Sequence, residues 1–137
     1  NGNKYGLLFV DRCTRMRYIS PLKNLQSSQI TAAYNSLCTD INSTCKIMTD
    51  FDMKLISGEA HSFMKNKGTT IQAAAPEHQD SNGLCERNWQ TVTHMARAWL
   101  SSNLLPPSFW WYAVRHAVEV CNYLPVKKGG KCRHRSN

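Results

Sequence analysis

The apolar positions fall into short runs in the first half of the chain and into long helical stripes in the second. Tyr5-Gly6-Leu7-Leu8-Phe9-Val10 is rich in strand formers and is ended by Asp11 and a polar stretch. Residues 16–19 supply a second strand, stopped by Ser20-Pro21, so the two resemble a hairpin. Residues 29–38 switch to helical spacing, with Ile30, Ala33, Tyr34 and Leu37 on one side and Ser27 or Ser28 available as cap. Residues 44–49 form a third strand that runs straight into Asp50. A short helix at 59–67 carries Ala60, Phe63 and Met64 on one side and stops near Gly68; a last strand at 69–74 is broken by Pro76.

Two longer helices follow. Over 81–100, Cys85, Trp89, Val92, Ala96 and Trp99 make one stripe at three- and four-residue steps, and Glu86, Gln90, Thr93 and Arg97 make a polar stripe beside it. Pro106-Pro107 then opens a helix to about Tyr123, packed through Trp110, Ala113, Val114, Ala117, Val118 and Cys121. There is no internal repeat, and the order of elements predicts a mixed α/β domain.

Composition narrows this picture. With 137 residues and 42% apolar positions the chain is long enough for a real core and too apolar for disorder. Its longest apolar runs fall far short of the roughly 20 residues of a membrane span. Asn1 is not an initiator methionine and no signal peptide opens the chain, so it reads as a cut from something longer, with an intracellular setting. The six cysteines show no C-x-x-C pair and read as reduced, mostly buried thiols; Cys132 and His134 lack the partner pair of a zinc site. The net charge of +8 is uneven: Lys127, Lys128, Lys131, Arg133 and Arg135 lie in the last eleven residues. Such a tail suits a polyanion through counterion release, and equally a solvated terminus.

Two acids stand where chemistry would use them. Asp50 follows an apolar strand, a rigid place from which to project a carboxylate. Glu86 is expected in the first helical turn, where the helix dipole favours a negative charge. Two such carboxylates brought together call for Mg²⁺ or Mn²⁺ between them. By spacing alone, a strand-end turn residue and a helix-start acid remain the commoner explanation.

The surrounding residues say more. Thr49-Asp50, thirty-five residues, then Glu86 within Asn82-Gly83-Leu84-Cys85-Glu86-Arg87 resembles the catalytic core of retroviral and retrotransposon integrases, the Ty1/copia type above all. Gly6-Leu7-Leu8-Phe9-Val10-Asp11-Arg12-Cys13-Thr14-Arg15 is similar to the family's second strand and turn. Ala75-Pro76-Glu77-His78-Gln79-Asp80-Ser81-Asn82-Gly83 holds the place of its flexible loop. Met95-Ala96-Arg97-Ala98-Trp99-Leu100, Leu105-Pro106-Pro107-Ser108-Phe109-Trp110 and Asn122-Tyr123-Leu124-Pro125 match its late helices and end. The resemblance runs over residues 3–125.

It implies a ribonuclease H-like fold, a three-layer α/β/α arrangement around a mixed sheet, with residues 1–125 as the catalytic core and 126–137 as a basic flexible tail. It implies two-metal phosphoryl transfer with Mg²⁺ or Mn²⁺, in which Asp50 and Glu86 are the second and third members of an Asp-Asp-Glu triad and metal ligands. Arg87, Gln90, Thr93 and Arg97 would line the nucleic-acid path. The parent would process 3′ ends and join element DNA to target DNA as a homo-oligomer, in the nucleus or a virus-like particle, with no membrane attachment.

The chain also departs from the family. The first triad Asp belongs on an opening strand ahead of the hairpin, which this sequence does not contain; Asp11 matches the acid after the second strand and is a lesser candidate. A thin or gapped sheet, or a fragment that does not fold stably alone, is expected, because the missing strand is the central one, and the fragment as it stands is expected to be inactive. Asp52 competes with Asp50 as ligand, but only Asp50 keeps the spacing to Glu86. The alternative reading is a catalytically dead or domesticated module that binds DNA or a protein partner; a third is an unrelated basic α/β nucleic-acid-binding domain.

Overall fold

In the computed structural model, which describes residues 2–41, 46–49, 58–73 and 79–124, the first apolar run is strand β1 (Tyr5–Val10) and the second is β2 (Arg17–Leu22). The connecting turn is built by Asp11. Its carboxylate accepts from the backbone N–H groups of Cys13 (3.1 Å) and Thr14 (3.2 Å) and from the Thr14 hydroxyl, while Arg15 takes a left-handed φ of 63°.

Strand β2 does not stop at Ser20-Pro21 as the sequence suggests; it runs through to Leu22. Lys4 N–H donates to Leu22 O (3.0 Å) and Asp11 N–H to Met16 O (2.9 Å). Even-numbered residues of β2 therefore turn their backbone groups toward β1, and odd-numbered ones face away. Pro21 falls on the outward side, where its missing N–H removes no ladder bond.

Helix α1 (Ser27–Ile41) buries the four residues its spacing selects, Ile30, Ala33, Tyr34 and Leu37. Strand β3 (Lys46–Thr49), helix α2 (Glu59–Asn66) and strand β4 (Thr70–Ala73) form a strand–helix–strand crossover. β3 and β4 pair in parallel, Ile47 opposite Ile71, as a pair joined through a helix can. Gly68 ends α2 at φ 79°: Thr69 N–H returns to Met64 O (3.0 Å) and Gly68 N–H to Lys65 O (2.9 Å), a Schellman closure that needs the left-handed residue. Buried Tyr34 and Thr69 share a hydroxyl hydrogen bond between α1 and the start of β4.

Helix α3 (Gln79–Ser102) is longer at both ends than the pattern indicates. A 3₁₀ turn (Pro107–Phe109) led by Pro106 feeds helix α4 (Trp110–Tyr123), where a continuous helix from the two prolines was expected. Val92 and Ala96 of α3 and Val114, Ala117, Val118 and Cys121 of α4 form a buried cluster, with Leu8 and Ile19 of the hairpin and Trp89, Trp99 and Trp110 packed against it. Those tryptophans act as packing residues, as expected, and Trp111 meets Trp110 edge to face at 5.8 Å.

The described strands make two separate two-stranded ladders, β1 with β2 and β3 with β4, consistent with the incomplete sheet expected from the sequence. The described residues divide into two compact units: one holds Leu8–Ile19 and those from Cys85 onward, the other Gly2–Leu7 and those between Ser20 and Leu84. None of the four described cysteines is in a disulfide; Cys121 is buried, Cys38 and Cys85 are half-buried and Cys13 is exposed in the hairpin turn, so the expectation of mostly buried thiols holds only for Cys121 among them. Cys132, His134 and the basic tail lie outside the described residues.

Asp11 gives a prediction about the turn. Burial pushes its carboxyl up, but the Thr14 hydroxyl, the Cys13 and Thr14 backbone N–H groups and the Arg15 charge together outweigh this and hold it below its ordinary 3.8. A lowered value contributes stability above the ordinary value, and the contribution is lost as pH falls through the lower one. Asp11→Ala should therefore destabilise by about 1 kcal/mol or less near neutrality, solvent screening having been allowed for. In urea titrations the gap between wild type and variant should close as the medium is acidified below 3.8. A gap that stays constant on acidification would show that the ionised carboxylate does not organise the turn.

Candidate functional site

Glu86 is exposed on α3. The sequence reading places it in the first turn, but the helix begins at Gln79, so two turns precede it and the dipole of the helix end no longer acts on it. What fixes Glu86 is the packing of the helix. At about 100° per residue, Glu86, Gln90, Thr93 and Arg97 fall within about 60° of one another, beside the Val92–Ala96 stripe. The structure thus brings four of the six predicted site residues onto one face. Arg87 stands about 100° round from Glu86 and is also exposed. Asp50, and with it Asp52, lies outside the described residues.

The members of the face differ in what they can do. Glu86 presents two carboxylate oxygens with no hydrogen bond or ion pair to another described residue. These are the hard donors that Mg²⁺ and Mn²⁺ accept, so its chemistry fits the expected metal. Among the described residues no three His, Cys, Asp or Glu gather as a metal-holding group. Gln90 and Arg97 are exposed and extend outward. Thr93 is half-buried, and its hydroxyl points back to Trp89 O (2.9 Å) and Gln90 O (3.1 Å) of its own helix. Its single proton is committed there, which leaves it only as an acceptor and a poor partner for phosphate. Both oxygens of Asp11, the lesser ligand candidate, are engaged by its turn.

Sequence reasoning missed the group that anchors this face. Arg17 is 8% exposed; its Nε donates to Asn88 Oδ1 and its Nη1 to Cys121 O (3.1 Å). Asn122 pairs with the Arg17 backbone in both directions, its Oδ1 accepting from the N–H (2.9 Å) and its Nδ2 donating to the C=O (2.8 Å). Asn88 is two residues from Glu86, so the network pins the stretch of α3 that carries the acid to β2 and α4. Its only signal in the sequence is a polar Asn88 beside the apolar stripe of α3.

The fold these parts make is one already seen. It is that of integrase catalytic cores, the ribonuclease H-like class. The simian T-cell lymphotropic virus intasome in complex with PP2A regulatory subunit B56 gamma contains a chain that superposes with a TM-score of 0.80 at 20% identity, over 93% of this chain and 46% of that one. The HTLV-2 integrase catalytic core domain in complex with magnesium, in its trimeric form, gives 0.74 at 20% identity, over 92% and 79%.

In sequence, the chain is 27% identical over 127 residues to the retrovirus-related Pol polyprotein of transposon TNT 1-94 from Nicotiana tabacum, covering 90% of this chain and 10% of that one. It is 24% identical over 132 residues to the truncated transposon Ty1-A Gag-Pol polyprotein of Saccharomyces cerevisiae, covering 93% and 11%. No family model matches the chain. It spans about a tenth of the length of these relatives. Fold and relatives together bear out the resemblance to the integrase core of a Ty1/copia-type retrotransposon. No described helix is long and apolar enough to cross a membrane.

Proposed function

We propose that this chain is the part of a retrotransposon integrase that holds two of the three catalytic carboxylates, Asp50 and Glu86, and guides DNA along α3. The observation that carries this is the placement of Glu86 as an uncommitted, exposed acid on the same helix face as Gln90 and Arg97, in a fold shared with integrase cores.

Asp50 and Glu86 would hold Mg²⁺ or Mn²⁺, which when bound stabilises the charge that develops on the phosphoryl oxygens and lowers the cost of deprotonating the attacking hydroxyl. Arg97 and Arg87 neutralise backbone phosphates, and Gln90 donates from its amide. These contacts set the position of the duplex and carry little sequence information. The buried Arg17–Asn88 contact keeps the helix from turning about its axis, which holds Glu86 toward the reacting phosphate. The working protein would trim 3′ ends and join them to target DNA as a homo-oligomer, in the nucleus or a virus-like particle.

The test uses the product of the longest reading frame that contains this chain, incubated with element-end duplex and target DNA. Metal-dependent trimming and joining support the proposal. Duplex binding without either reaction, in Mg²⁺ and in Mn²⁺, would instead support the binding-module reading.

A further inference from the structure

The outer face of α3 is wider than the four-residue stripe. Placed at about 100° per residue, Arg97, Gln90, Ser101, His94 and Arg87 form one unbroken band about 80° wide, and all five are exposed. Glu86 borders the band on one side, and Thr91 and Ala98 on the other. From Arg87 to Ser102 the helix contains no acid. The ion pair seen among the described residues, Arg115–Glu119, is on α4, and no described acid engages Arg87 or Arg97.

His94 occupies the middle of this band. It stands about 180° from the centre of the buried stripe, seven residues after Arg87 and three before Arg97. Arg87 to Arg97 spans about 15 Å of helix, and His94 lies between them along the axis.

We propose that His94 is a phosphate-contacting residue of the nucleic-acid face and makes the affinity of that face for duplex DNA rise as pH falls. The inference rests on the proposed function and adds to it a residue and a pH dependence. A histidine is the side chain that ordinarily changes charge between pH 5 and 8, and here the added proton would complete a row of three cations along one phosphate path. The charged groups around it are those of its own helix, Arg87, Arg97 and, at the border, Glu86. The elements packed against α3 in its unit meet it elsewhere. Arg17 of β2 reaches Asn88, about 120° round the axis from His94, and His116 of α4 lies against Trp99 (4.4 Å between rings), about 140° round. Arg115 and Glu119 of α4 pair with each other, and Asp11, Arg12 and Arg15 belong to the hairpin turn.

The experiment measures binding of a labelled duplex by fluorescence anisotropy over a salt series at about pH 5.5 and about pH 8, for the full chain and three variants. Wild type should bind several-fold more tightly at the lower pH, with a salt dependence steeper by about 0.9, the increment for one more neutralised phosphate. His94→Gln should lose that increment, and His94→Lys should show the steep slope at both values. Gln and Lys both suit an exposed helical position, and circular dichroism would check that each variant is folded. A His94→Gln protein that keeps the full pH-dependent increment overturns the proposal. If an Arg87→Gln, Arg97→Gln double variant weakens binding at both pH values while His94→Gln changes nothing, His94 is excluded and the proposed function stands. No duplex binding by wild type at either pH would overturn both.

Discussion

Exchanging Glu86 for glutamine should reduce strand transfer by the intact parent by about a hundredfold or more, the scale on which one preorganised charge-stabilising group acts. The side chain is exposed and has no described partner, so the exchange removes a negative oxygen without disturbing any packing. Glutamine keeps the shape and a helix-compatible backbone, and the thermal midpoint should stay where it is. Duplex binding should be retained or slightly strengthened, because a negative charge leaves the edge of a path meant for phosphate. A strand-transfer gel, an anisotropy titration and a melting curve on the same preparations separate these outcomes. Asp50→Asn should match it in activity. A Glu86→Gln protein that still joins ends would remove Glu86 from the catalytic set.

The second large effect is on stability. Arg17→Ala should cost about 3 kcal/mol in urea unfolding. The substitution strips the buried Asn88 amide and the Cys121 carbonyl of their guanidinium donors and leaves space where β2, α3 and α4 meet. Arg17→Lys should recover little of this, because a single ammonium cannot present the planar fork that reaches both partners. The exposed Arg115–Glu119 pair is the internal contrast: Arg115→Ala should change stability by less than about 0.5 kcal/mol. If Arg17→Ala and Arg115→Ala prove equally mild, the buried network does not hold the helices.

How much of this could be read beforehand depended on the kind of signal. The buried face of helix α1 was legible to the residue: its 3.6-residue rhythm names Ile30, Ala33, Tyr34 and Leu37, and all four are buried, although the helix runs Ser27–Ile41, taking in the two serines expected to cap it and three residues beyond 38. The crossover from β3 to β4 was legible in its elements, and Gly68 marked the end of α2 for a steric reason. Strand β2 runs past Pro21 because the effect of a proline depends on which way the residue faces in the ladder, a direction that local sequence does not encode. The position of Glu86 within α3 was misjudged because the helix takes in polar residues from Gln79 that carry no apolar rhythm. Its place on the polar stripe was nevertheless correct, since that follows from spacing and not from where the helix begins. The Arg17–Asn88–Asn122 group escaped because it joins residues 71 and 105 positions apart, and no local pattern encodes such a meeting. Asp50 and the basic tail fall outside the described residues, so their roles rest on motif and charge.

The outward edge of β2 carries a consequence for how this protein behaves in concentrated solution. An uncovered strand edge offers a row of alternating donors and acceptors on which another chain can grow. Along β2 that row is interrupted twice. At one end the Asn122 amide occupies the Arg17 N–H and C=O as a neighbouring peptide would, and toward the other Pro21 has no donor to offer. An incoming strand would find a false neighbour already seated at the first position and a missing rung at the third. The same two residues that look incidental to the hairpin therefore act as its guard against fibril-like stacking, and an Asn122→Ala, Pro21→Val protein would lose that guard at both points.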